Sequence, residues 1–136
     1  MKFLTDEWVD AFEARAKAVF SEDDTPTSLT VSLVECYEGV PQLDGKDFWH
    51  LYAIEDGVIE ELEHGNDKDD IPADADFITY CPYDLVVKIM TGEVSTPRAM
   101  LSGEIKMRGN IVRAMKMLET YNILQDLKRF DGETEW

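Results

Sequence analysis

Histidine and cysteine are scarce in this chain, with two of each among 136 residues. Cys36 and Cys81 are too few for a disulfide framework and lack Cys-x-x-Cys spacing, so buried free thiols are expected. A nucleophilic triad needs a histidine base, and only His50 and His64 could supply one. His50 alternates between Trp49 and Leu51, His64 stands at a strand end, and neither adjoins a Gly-x-Ser-x-Gly motif. Phosphate-cradling loops are also missing: the spacing from Gly103 to Gly109 spans a strand pattern and no Lys-Thr or Lys-Ser follows. The expectation is a chain without catalytic residues and without a cofactor. No run of eighteen apolar residues occurs, and Met1-Lys2-Phe3-Leu4 leads directly into Thr5-Asp6-Glu7, so a soluble, cytoplasmic protein is expected.

Bases are the other shortage. Against 13 Lys and Arg stand 29 Asp and Glu, a formal charge of −16. Residues 1–80 hold 21 of the acids and 5 of the bases, and residues 81–136 hold 8 of each. Such a field repels phosphate backbones and excludes nucleic acid as a partner. It equally opposes docking on anionic membrane surfaces. A solvated acidic face is the plain reading, with a basic protein partner or a salt-rich cytoplasm as the alternatives. His64, Asp67, Asp69, Asp70, Asp74 and Asp76 lie close together in sequence, but calcium-loop spacing is absent and Pro72 interrupts them, so no metal site is expected there.

What is present is enough apolar residue, 44%, for a single domain spanning 1–136 with its own core. Thr5 is placed to cap a first helix in which Trp8, Phe12, Ala16, Val19 and Phe20 recur at spacings of three and four. Residues 21–28 read as a loop. Alternation over 29–37, 46–54 and 58–62, with turns at Asp44-Gly45 and Asp56-Gly57, predicts a three-stranded antiparallel meander. A polar segment follows, then a fourth strand over 76–81 and a helix over 83–91 that Pro82 can open. Gly92 and Gly103 suit helix ends, a short strand spans 104–108, and Asn110 caps a long helix rich in methionine. Residues 131–136 are expected to be loose or only partly docked.

The second strand is apolar on both faces. Strand parity assigns Trp49, Leu51, Phe77, Ile105 and Met107 to the helix-covered side and Phe48, Tyr52, Ile54, Ile78 and Tyr80 to the outside. An outer face of that composition suggests a homodimer formed through it.

Ala75-Asp76, Tyr83-Asp84-Leu85, Thr91-Gly92-Glu93 and the run from Leu101-Ser102-Gly103-Glu104 through Ile105-Lys106-Met107-Arg108-Gly109-Asn110 together resemble the sterol carrier protein type-2 sterol-binding domain family. The likeness is strongest over 75–120. Leu85, Pro97 and Glu104 depart from the family pattern, the last replacing a common lysine. The resemblance implies an α+β fold: a five-stranded, mainly antiparallel sheet with helices packed on one face, enclosing an apolar tunnel. It implies noncatalytic binding or transport of a fatty acid, fatty acyl-CoA or sterol-like ligand. Candidate lining residues are Trp49, Leu51, Phe77, Ile89, Met90, Leu101, Ile105, Met107, Met115, Leu118 and Tyr121, with Arg98, Lys106, Arg108 and Arg113 available to an anionic headgroup. The residues alone leave open a plain core filled by methionines. An accessory subunit that docks on a lipid- or acyl-CoA-handling enzyme, and a small hydrolase or isomerase using His50 or His64, are the remaining alternatives.

Overall fold

The computed structural model describes residues 1–23 and 25–136, with Asp131 described by its backbone only. Asp24, inside the loop expected over 21–28, lies outside the described residues.

Helix α1, Asp6–Val19, buries Trp8, Val9, Phe12 and Ala16, the stripe its periodicity predicts. Thr5 does not cap it through its side chain; the hydroxyl instead donates to the Lys2 carbonyl at 2.7 Å. Strands β1 (Val31–Val40), β2 (Lys46–Glu55) and β3 (Val58–Gly65) form the expected meander, followed by β4 (Phe77–Pro82) and helix α2 (Tyr83–Met90). Helix α3 spans Thr96–Leu101, opened by Ser95, whose side chain accepts from the Arg98 N–H, and β5 shrinks to Lys106–Arg108. Gly92 and Gly103 both take positive φ, as the ends of α2 and α3 require.

The long helix expected from Asn110 is broken in two, α4 (Ile111–Met115) and α5 (Leu118–Arg129). Asn110 does cap α4, its side chain accepting from the Arg113 N–H at 3.1 Å. Bonds from Lys116 and Met117 back to the carbonyls of Arg113 and Ala114 then tighten the chain into a turn. None of the α4 residues is buried, whereas α5 is anchored by Leu124 and Leu127, so packing holds the second segment but not the first.

The strands are ordered β3-β2-β1-β4-β5. Three pairings are antiparallel, and β4 runs parallel to β1 with Leu33 opposite Phe77. The sheet is therefore mixed. To bring β4 beside β1, the connection 66–76 crosses the face of the sheet opposite the helices, and that crossing corrects the assignment of faces. Trp49 and Leu51 do not face the helices. They join Val34, Cys36 and Ile78 in a separate outer cluster, covered by Ile71 and Ala75 of the crossing segment. Phe48, Tyr52 and Ile54 lie in the main core with Phe12, Leu33, Tyr37 and Phe77. Since Trp49, Leu51 and Ile78 are buried by the chain itself, the bare outer face that suggested a homodimer does not exist.

The final segment is docked rather than loose. Met1 donates to the Glu133 carbonyl at 2.7 Å, the Phe3 N–H donates to the Glu135 carbonyl and the Glu135 N–H to the Met1 carbonyl, and the rings of Phe3 and Trp136 meet at 4.9 Å. Buried Thr134 accepts from Trp8 Nε1 at 3.1 Å and donates to the Lys128 carbonyl at 2.6 Å. Thr134→Val, which keeps the shape and loses both bonds, is expected to lower stability by about 1–3 kcal/mol in urea unfolding. No measurable loss would show that the segment contributes nothing to the fold.

Candidate functional site

Because register is shared across all five strands, one transverse row on the helix-facing side reads His64, His50, Glu35, Thr79, Met107. Four polar side chains thus line up beneath the helices. Glu35 and His50 are in phase with the apolar residues of their own strands, Leu33 and Tyr37 on β1 and Phe48 and Tyr52 on β2, and so are carried inside.

Glu35 is fully buried and meets Lys128 of α5, itself 1% exposed. Lys128 Nζ donates to Glu35 Oε1 at 2.7 Å; Tyr121, Gln125 and Tyr37 donate to Oε2 at 2.9, 3.0 and 3.2 Å. Lys128 also donates to the Tyr37 hydroxyl and lies over the rings of Phe12, Tyr37 and Tyr52. Burial alone would raise the Glu35 carboxyl, but the Lys128 charge and the donors outweigh it and hold the carboxyl below its ordinary value. Burial lowers the Lys128 ammonium, with Glu35 opposing that shift. Burial and the Glu35 charge together push the hydroxyls of Tyr37, Tyr52 and Tyr121 well above their ordinary range, so all three remain donors.

His50 is 2% exposed. Burial, reinforced by Lys128, lowers its imidazole to about 3, so the ring is neutral. Its Nδ1 lies 3.4 Å from the Tyr52 hydroxyl and its Nε2 has no hydrogen-bond partner. Burial likewise pushes the thiols of Cys36 and Cys81 up to about 12, which leaves both inert as nucleophiles.

Next to the ion pair, between α2 and α5, is a cavity of about 10 Å³ bordered by Glu35, Thr79, Met90, Ile105 and Tyr121. That is room for about one water molecule. The packing is closed, so the expected tunnel is not open as a continuous volume. Outside, Ile89 and Gln125 border both this cavity and a groove of about 480 Å³ between the α2–α3 connection and α5.

Of the lining residues expected from sequence, Phe77, Met90 and Ile105 are buried in the core, and Ile89, Met107 and Tyr121 pack half-buried against it. Met115 and Leu118 are partly exposed at the turn between α4 and α5. Trp49 and Leu51 are on the opposite face. Leu101 is 70% exposed and, with Ile111 and Val112, forms an apolar margin on α3 and α4 instead of a wall. Arg98, Lys106, Arg108 and Arg113 are all exposed. Glu35 and Lys128 were not among the candidates; the in-phase position of Glu35 between Leu33 and Tyr37 was the available signal.

This mixed sheet and its helices superpose on solved structures over most of the chain. Sterol carrier protein 2 superposes with a TM-score of 0.70 at 14% identity, over 92% of this chain and 95% of that one. The fold is that of sterol carrier protein 2. A conserved hypothetical protein of Thermus thermophilus superposes on the sterol-carrier fold seen here with a TM-score of 0.64 at 18% identity, over 95% of this chain and 89% of that one. Palmitated SCP2L2 of Aedes aegypti gives 0.56 at 16% identity, over 82% and 92%. By sequence, the chain matches no protein-family profile and no curated protein. Among the described residues of this sterol-carrier fold, no helix is long and apolar enough to cross a membrane.

Proposed function

We propose that the chain is a noncatalytic lipid-binding or lipid-transport protein that takes a fatty acid, acyl-CoA or sterol-like ligand between α2 and α5. The observation that carries this reading is the cavity over Thr79 and Ile105, separated from the outer groove by Ile89 and Gln125. Opening is supported at the α3–α4 margin. Helix α4 buries none of its residues, and Leu101, Ile111 and Val112 already present apolar surface there. Met90 borders the cavity and Met100, Met107 and Met117 belong to the same core, and their unbranched side chains adapt to a flexible chain. Glu35 at the floor disfavours an anionic headgroup going in first, so the acyl end enters and the headgroup stays at the mouth. The same fold in a palmitated protein supports an acyl ligand.

Each methylene buried contributes about 0.8 kcal/mol, so affinity should rise about fourfold per added carbon until the gap is full. Native mass spectrometry of the purified protein, lipid extraction, and calorimetry with a fatty-acid series test this. Ile89→Trp, which blocks the space between cavity and groove, is expected to abolish the chain-length dependence. A protein that carries no lipid and binds neither fatty acid, acyl-CoA nor sterol would end the proposal.

A further inference from the structure

Beyond the lipid cavity, the other end of the polar row holds a second constellation. His50 on β2 and His64 on β3 are directly opposed cross-strand partners, and Glu13 of α1 reaches over both. Glu13 Oε1 lies 3.2 Å from His64 Nδ1 and 3.8 Å from His50 Nε2, and the three atoms all fall within 4.8 Å of one another. Pairing Glu13 with His64 alone does not complete this arrangement. It leaves Nε2 of the deeply buried His50 aimed at Glu13 with no hydrogen bond, a costly state for a buried polar atom.

We propose that Glu13 Oε1, His50 Nε2 and His64 Nδ1 together bind one divalent transition-metal ion of the zinc class. Metal–ligand bonds of about 2.0–2.2 Å at tetrahedral angles place ligand atoms about 3.4 Å apart. The two Glu13 distances already bracket that value, and the half-exposed His64 ring is free to close the remaining gap. Two imidazoles and one carboxylate suit zinc, cobalt, nickel or copper and not calcium or magnesium, which prefer all-oxygen sites. Coordination through Nε2 leaves His50 Nδ1–H to donate to the Tyr52 hydroxyl at 3.4 Å, the outer-shell bond that orients a metal-binding histidine. Phe12 and Phe48 flank the imidazoles at 5.7 and 5.8 Å and wall the site on the core side. The fourth position points outward past Glu13 and His64 and is left to water. A bound ion would tie α1 to the β2–β3 hairpin. His64 therefore belongs with Glu13 and His50, while of the aspartates near it in sequence Asp67 accepts from the Asp69 N–H and Asp76 pairs with Ser32.

The test uses tag-free, chelator-treated protein titrated with zinc chloride by competition calorimetry, and with cobalt chloride by visible absorption. The expected result is one ion per chain, cobalt bands of a four-coordinate nitrogen–oxygen site, and a higher melting temperature with metal. Outer-shell partners alone are worth about 10–100-fold in metal affinity. His64→Ala and Glu13→Gln, both at positions reachable by solvent, should therefore each weaken zinc binding by more than about tenfold with unchanged circular dichroism. Failure of the folded wild-type chain to bind zinc or cobalt would overturn the proposal. So would undiminished binding by both variants, which would locate the ion elsewhere. Neither outcome bears on lipid binding, which is measured separately.

Discussion

Lys128→Met is expected to destabilise the protein by about 3–5 kcal/mol, the usual cost of breaking a buried ion pair by removing one partner. Glu35 would be left fully buried with only neutral donors, from Tyr37, Tyr121 and Gln125. Glu35→Gln should cost a similar amount for the opposite reason, an ammonium enclosed by Phe12, Tyr37 and Tyr52 with no countercharge. Domains of this size have about 5–15 kcal/mol to lose, so either variant sits near the threshold of folding. The double variant Glu35→Gln, Lys128→Met removes both charges and retains an acceptor for the two tyrosines. It should lose less than either single variant, a coupling of at least about 3 kcal/mol in a urea-unfolding cycle. Additive losses would mean that the two residues act independently, against the geometry.

The same pair sets an acid limb. The folded Glu35 carboxyl is held below its ordinary value of 4.5. In the interval between the two values the unfolded chain binds the extra proton, so stability rises with pH there. Its contribution is complete above the unfolded value and is lost as pH falls through the folded one. The neutral double variant lacks this component, so the stability difference between wild type and double variant should shrink below about pH 4.5.

Trp49→Ala is the second large effect, about 3–5 kcal/mol. Trp49 is 4% exposed under the 66–76 segment and its Nε1 donates to the Asp67 carbonyl at 2.9 Å. Gly65 lies so close that a Cβ there would stand 2.8 Å from the indole, which explains glycine at that position. Without the ring the outer cluster of Val34, Cys36, Leu51 and Ile78 loses its largest member, and the crossing segment loses its anchor. Limited proteolysis should then cut within 66–76 before the rest of the chain. A loss under about 1 kcal/mol with unchanged cleavage would show that this segment is held by other contacts.

Most elements were legible because they depend on neighbours within a few residues. The stripe of Trp8, Phe12 and Ala16 needs only helical periodicity, the Asp56-Gly57 turn needs only positive φ, and Gly92 and Gly103 end helices wherever the chain goes next. The resemblance over 75–120 pointed to the fold that the superpositions show. The break at Lys116 and Met117 was hidden because apolar residues continue through it, and only the lack of a surface for α4 to pack on separates the two helices.

What sequence alone determined, then, is the order of the strands and of the first three helices, the acidic first half and the apolar supply for one core, since each follows from composition or local periodicity. Tertiary structure alone decided which face is which. A strand apolar on both sides carries no internal mark of its inner face, and the path of 66–76 across the sheet buried Trp49 and Leu51 where the helices were expected. It also decided the chemistry of the interior. Glu35 and Lys128 are 93 residues apart and Glu13 and His64 are brought together from separate elements, so neither pairing exists until strand register and helix docking create it.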